Sequence, residues 1–182
     1  VVNGAESDLT APLPDGAQVA IITAATDEGR HLLRHSTAHV LAQAVIQLFP
    51  GSKFTIGPAI EDGFYYDFDL PGGKTFSEED LDLISNKMRE IIKADQPFVR
   101  SEVSVSDALQ LFSDQPYKCE IIQRVTGGGA DGADAGEVGS GEAISVYRNT
   151  DTFVDLCRGP HVPSTGRLGH FALQKVAGAY WR

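Results

Sequence analysis

An α+β fold, with a mainly antiparallel sheet packed against helices over residues 30–49 and 77–94, is predicted by three observations. Helix-type apolar spacing runs from Arg30 to Phe49 and again from Leu81 to Ala94. Short alternating runs lie between and after these stretches, at Phe54–Phe68, Phe98–Val103, Ala143–Tyr147 and Phe153–Cys157. The turn Glu61-Asp62-Gly63 separates two such runs as a β-hairpin would.

Taken in order, residues 1–23 read as two short extended pieces. Val1-Val2 leads into the turn Asn3-Gly4, and Gln18–Ile22 follows the turn Leu13-Pro14-Asp15-Gly16. They are too few to form a core and read as the tail of another domain, with residues 24–29 as a linker. The helix over 30–49 is stopped by Pro50-Gly51. Leu33, Val40, Leu41, Ala44 and Leu48 share one stripe, while His35, His39, Ala42 and Ile46 lie opposite. Small and apolar residues beside the imidazoles imply a helix covered on both sides, with Ala38 and Ala42 leaving room for a pocket.

Phe54–Ile60 and Phe64–Phe68 form the hairpin, in which Pro58 marks an edge or a bulge. Gly57-Pro58 can admit a close approach to the backbone, and a structural reason for it is preferred to a ligand. Ser77 caps the next helix, Glu78, Glu79 and Asp80 occupy its first turn, and Phe76 can staple onto Leu81. Leu81, Ile84, Met88, Ile91 and Ile92 continue its apolar stripe, and Pro97 closes it. Ser106 is expected to cap a short helix through Phe112, and Pro116 to open another through about Val125. Residues 127–141 form a Gly-rich, low-complexity insertion that lacks the apolar residues to fold alone and is assigned no chemistry. Ala143–Tyr147 pairs with Phe153–Cys157, residues 161–166 form a loop, and Phe171–Trp181 is a last extended segment.

The 182 residues suffice for one well-buried domain with a small appendage. A net charge of −10 argues against a free-standing nucleic-acid binder, which presents a basic face. No apolar run is long enough to span a membrane, and no basic–apolar secretion signal opens the chain. Cys119 and Cys157 make no disulfide framework, which points to a reducing cytosol. Cys119 reads as a small hydrophobe, and His31 and His170 as structural or surface residues.

The chemistry concentrates in two short motifs. His35 and His39 are four apart on a helix, so their rings project from one face on successive turns. Cys157 and His161 repeat the spacing about 120 residues later. Either motif alone is weak, but together they offer three imidazoles and a thiol, a set that zinc binds well. Four such donors would saturate a tetrahedral ion and leave no position for water, so the set suits a structural ion or no ion.

Beyond these motifs, HSTAH with its apolar helix, IGPAIEDGFYYDF, PYK, FVDLCRGPHVPSTG and KVAGAYWR together resemble the editing domain of bacterial-type threonyl-tRNA synthetases. The likeness runs from about Gly29 to Arg182. Residues 1–23, with VNG…DL…PL and VAIIT, resemble the end of the ubiquitin-like TGS domain that precedes it. The stretch 127–141 is longer than the family commonly has there. The resemblance implies the threonyl/alanyl-tRNA synthetase editing-domain fold over 30–182, a TGS remnant over 1–23 and a fragment without the ligase active site, whose ATP, magnesium and zinc belong to an absent catalytic domain. It implies hydrolysis of the ester between serine and threonine-specific tRNA, the other domains of a homodimeric, cytoplasmic synthetase as partners, and no membrane association. Its site residues fall on His35, His39, Lys118, Asp155, Cys157 and His161, with no cofactor required for editing and zinc possible at the His/Cys cluster. Asp155 can hold the substrate's α-ammonium, while Lys118 or an imidazole places water or assists the leaving ribose oxygen. Tyr65, Tyr66 and Arg158 are weaker candidates for stacking on adenine or meeting a phosphate. Two alternatives stay open: a zinc-stabilised tRNA-recognition module without hydrolysis, and an alanyl-tRNA editing relative with the same paired motif.

Overall fold

The computed structural model describes residues 1–127 and 143–178. Its longest element, α1 (Asp27–Leu48), starts three residues earlier than the apolar pattern marks, because the Thr26 side chain accepts from the Gly29 amide and caps it. The predicted linker is therefore partly helical. Residues 35–45 of α1 are continuously buried, so the helix is covered on all sides, as its mixed faces require. α2 (Glu78–Lys93) opens with a capping box in which Ser77 accepts from the Asp80 amide and Asp80 accepts from the Ser77 amide. Phe76 packs edge-on against Phe49 and Phe68, tying the entry of α2 to the end of α1 and to the hairpin.

The hairpin is interrupted. β1 (Lys53–Phe54) pairs with β4 (Phe68–Asp69), and β2 (Ala59–Ile60) pairs with β3 (Gly63–Phe64). The two ladders are offset by one residue, and the break falls at Gly57-Pro58, where proline cannot donate to a ladder. A Cβ on Gly57 would lie 2.0 Å from the Tyr66 ring, so the glycine is there to admit that ring.

β5 (Val99–Ser104), β6 (Ala143–Thr150) and β7 (Phe153–Leu156) form an antiparallel sheet in the order β5-β6-β7. Among the described residues all strand pairs are antiparallel, but they make three small sheets rather than one. α3 (Val105–Leu111) is capped by Ser104, not Ser106, and α4 (Pro116–Thr126) follows with Pro116 in its first turn. The predicted packing of a sheet on the first two helices is half of the arrangement. Ile144, Val146 and Leu156 join Ala108, Phe112, Ile121, Ile122 and Val125 in one core cluster under α3 and α4. Tyr147, Phe153 and Cys157 join the larger cluster built on α1 and α2. Period-2 alternation thus gives the sheet two covered faces, and its α1-facing side carries the chemistry.

Residues 1–23 form no named strand. Val2 bridges to Ala5 and Val19 around the left-handed Asn3-Gly4 turn, while Leu9 and Ile21 stay exposed. Residues 171–178 likewise carry no strand; the rest of the predicted last segment and nearly all of the Gly-rich insertion lie outside the described residues.

Candidate active site

α1 sets His35 and His39 one turn apart, with ring centroids 5.0 Å from each other. β7 supplies the opposing wall: Asp155 and Cys157 are two apart in extended chain and so share the face toward α1. Ser145 holds that end of the strand, its Oγ donating to the Cys157 carbonyl at 2.7 Å. Gly159, at φ +76°, then turns the chain so that His161 returns between the two elements.

The structure brings all four motif residues together, with one donor atom from each lying within 4.8 Å of the others. His35 Nε2 is 3.1 Å from Cys157 Sγ, and Sγ is 3.4 Å from His161 Nε2. The Gly159 amide also points at Sγ, 3.2 Å away. The His161 ring is sandwiched between His35 and Phe98, stacked at 4.5 and 4.7 Å, while its Nδ1 meets Ser36 Oγ at 3.0 Å. Ser36 Oγ in turn accepts from the Val162 amide. Ala38 and Ala42, beside which a pocket is expected, are fully buried in the larger core cluster. A small cavity of about 90 Å³ at the site's edge is lined by Glu6, His31, His35, Arg158 and Pro160.

Lys118 and Asp155, the other two predicted residues, join the same centre. Lys118 Nζ lies 2.5 Å from Asp155 Oδ1 and 3.0 Å from the Tyr66 hydroxyl, which donates to Asp155 Oδ2 at 2.8 Å. The Leu156 amide donates to Oδ1. Beside this knot, His39 Nδ1 is 3.1 Å from Asp155 Oδ2, off the line of a hydrogen bond. The Lys118 ammonium also sits 4.7 Å from the centre of the Phe54 ring, which adds to the Asp155 ion pair in accommodating a lysine only 1% exposed.

Burial dominates the electrostatics. Desolvation, reinforced by His31, lowers the His35 pKa to about 4, with Asp155 pulling the other way. His39 and His161 are held well below the usual histidine range by burial and by the neighbouring cationic groups they would form or face. All three imidazoles are therefore neutral at pH 7, each with one nitrogen able to accept a proton or bind a metal. The donor set fits a zinc ion in kind, and Ser36 on His161 and Asp155 beside His39 stand where orienting partners of metal-bound histidines are found.

Sequence reasoning assigns no role to Ser36, Phe98, Asp8 or Tyr147, all of which touch the site. Ser36 lies inside the HSTAH motif, but nothing in a sequence pairs it with a residue 125 positions away. Tyr66 takes part through its hydroxyl, whereas Tyr65 is 45% exposed. Arg158 borders the cavity. His170 is exposed, and Cys119 packs against the α3–α4 cluster, its thiol 3.1 Å from the Phe112 carbonyl.

Residues 144–179, which include β7 and the Cys157–His161 turn, match the family model of the threonyl and alanyl tRNA synthetase second additional domain. The matched stretch thus carries two of the four clustered donors, Cys157 and His161, together with Asp155. Across its whole length the chain is 51% identical to the threonine–tRNA ligase of Rubrobacter xylanophilus and 49% identical to that of Acidithiobacillus ferrooxidans. It is 44% identical to that of Thermotoga maritima. The chain is thus similar over its whole length to these threonine–tRNA ligases, and it spans about a quarter, 26%, of their length.

Proposed function

We propose that this chain hydrolyses the ester linking serine to threonine-specific tRNA, as the editing domain of a threonyl-tRNA synthetase. The observation that carries the reading is the set of neutral, buried imidazoles packed on Cys157 beside the Lys118–Asp155–Tyr66 knot. Of the three clustered imidazoles, His35 is the one that lines the cavity, where it can meet a ligand.

In this reading a water attacks the ester carbonyl carbon as an imidazole accepts its proton, and a new C–O bond forms. The tetrahedral intermediate then collapses. The bond to the ribose oxygen breaks, and the imidazolium returns the proton to that oxygen, leaving free serine and a tRNA hydroxyl. The negative charge of Asp155 favours the imidazolium that forms transiently. Asp155 Oδ1 and Oδ2 are already engaged by Lys118, the Leu156 amide and Tyr66. We therefore assign Asp155 to orienting Lys118 and Tyr66 rather than to binding an α-ammonium. Zinc, if bound, would be held by His35, His39, Cys157 and His161 and would act as a Lewis acid or a cross-link. Four donors would fill a tetrahedral ion and leave it no position for water, and we propose that hydrolysis needs no obligatory metal.

The acceptor end of tRNA is the proposed partner, delivered by other domains of a cytoplasmic, dimeric synthetase at high effective concentration. Alone, the acidic chain should bind tRNA weakly, and submicromolar affinity at physiological salt would contradict this. The test is single-turnover deacylation of seryl-, threonyl- and alanyl-tRNA, with metal analysis before and after chelation. Cleavage of the seryl ester that survives chelation supports the reading. Activity lost with chelator and restored by zinc would replace it with a zinc hydrolase. Unfolding on chelation with no hydrolysis at all would favour the second reading, a zinc-stabilised recognition module, which rests on the four donors alone.

A further inference from the structure

The segment before α1 is not a bystander. Asp8 reaches across to the catalytic loop and divides its carboxylate between two partners. Oδ1 accepts from the His161 backbone amide at 3.1 Å, and Oδ2 accepts from the Tyr147 hydroxyl at 2.5 Å. Both partners belong to the wall of the site. The Tyr147 ring meets the His161 ring edge-on at 4.4 Å, and its hydroxyl would lie 1.9 Å from a Cβ added to Gly159. Tyr147 is fully buried, and the amide it shares Asp8 with is the one that fixes where His161 leaves the turn.

The position of His161 is over-determined on its other side. Ser36 Oγ holds the ring nitrogen and also the next amide, Val162. Phe98 and His35 hold the two ring faces. Asp8 supplies the remaining constraint, on the backbone, and it comes from a segment that otherwise adds little to the core. Glu6, two residues earlier, lines the cavity at the edge of His35. Residues 6–8 thus lie across the mouth of the site.

We propose that Asp8 is a positioning residue for the reaction: it clamps Tyr147 and the His161 amide together and so fixes the imidazole of His161 against Cys157. The segment carrying it is then part of the editing site rather than only a connection to whatever precedes it. Asp8 touches neither water nor ester and acts through His161. The catalytic half of this inference rests on the hydrolytic reading; the structural half does not.

The test uses Asp8→Ala, Asp8→Asn, Tyr147→Phe and the double variant Asp8→Ala/Tyr147→Phe in this chain. In Asp8→Ala the His161 amide proton should move upfield in the NMR spectrum, while amides of α2 and α4 keep their shifts. Labelling of Cys157 by a thiol reagent should accelerate roughly 10-fold, and single-turnover deacylation should slow by about the same factor, since small misplacements of reacting groups carry such losses. Asp8→Asn, which keeps an acceptor for the amide, should retain most of the wild-type behaviour. The double variant should be no worse than the worse single one, because a shared clamp is not additive. An unmoved His161 amide in Asp8→Ala would overturn the clamp even if the wild-type chain proved to have no hydrolytic activity. A moved amide with an unchanged deacylation rate would overturn the positioning role while leaving the hydrolytic reading intact.

Discussion

Lys118 and Asp155 form an ion pair that is almost wholly sealed from solvent, their side chains 1% and 0% exposed. Such a pair contributes little net stability over a well-packed apolar one, yet removing a single partner strands the other charge and costs about 3–5 kcal/mol. Asp155→Ala and Lys118→Ala should therefore lower the melting temperature as well as the activity. Burial makes these changes costly to the fold as well as to the chemistry. Lys118→Met combined with Asp155→Leu should recover much of the lost stability and none of the deacylation. Equal melting temperatures for wild type and Asp155→Ala, measured by calorimetry, would contradict the buried pair.

His35→Ala is the cleaner probe of the chemistry. It removes an imidazole at the cavity edge without orphaning a charge, and single-turnover deacylation should fall by roughly 10²-fold or more. A variant that keeps its fold by circular dichroism and its full rate would remove His35 from the mechanism.

Stability should fall in mild acid. His35 has an unfolded pKa near 6.5 and a folded value of about 4, so between these the unfolded chain binds more protons. The stability conferred by the neutral imidazole is whole above about pH 6.5 and is lost progressively as pH drops toward 4. His39 and His161 are shifted in the same direction and add to the slope. Each fully contributing histidine gives about 1.4 kcal/mol per pH unit. Urea midpoints at several pH values between 4 and 7 check the sign, and a midpoint that rose on acidification would refute it.

Gly57→Ala should act at a distance from the imidazoles. The added methyl would meet the Tyr66 ring, whose hydroxyl links Lys118 to Asp155. Overpacking of this kind costs about 1–3 kcal/mol, and the displaced hydroxyl should reduce the rate as well. The companion change Gly63→Ala, which meets open space, is the control. The two variants behaving alike would show that the Tyr66 contact is unimportant.

Selectivity is expected to rest on exclusion of one methyl group. Fit alone supplies about 1–3 kcal/mol between serine and threonine, and displacement of an attacking water can add to it. Seryl-tRNA should be cleaved much faster than threonyl-tRNA in parallel single-turnover assays, and equal rates would mean the pocket is no sieve.

Much of the site is readable before folding, for local reasons. A spacing of four on a helix fixes which side chains share a face, so His35 with His39 follows from periodicity, and Cys157 with His161 repeats the spacing. Lys118 and Asp155 are different: their positions say only that they lie on a helix and a strand, and resemblance to a family points to them. What stays hidden is tertiary. The Ser36 hydroxyl, the Asp8 carboxylate and the Tyr147 ring matter through partners more than a hundred positions away, or across two elements, and no local pattern encodes them. The hairpin shows the same limit. Its existence follows from alternation and a turn, but the break at Gly57 exists because of a ring nine residues on. The start of α1 moved because Thr26 caps it, a signal set among residues that otherwise read as a linker.

His35 and Cys157 are 122 residues apart along the chain, yet their side-chain atoms touch. Closing so long a loop is entropically costly, and the cost is met only by contacts made across the whole domain. No partly folded chain, and no ribosome-bound one that has yet to release residues beyond His161, can hold the cluster. Sequestration of the Cys157 thiol is accordingly a built-in clock for folding. The time at which it stops reacting with an external reagent marks the moment when the first and last thirds of the chain have found each other.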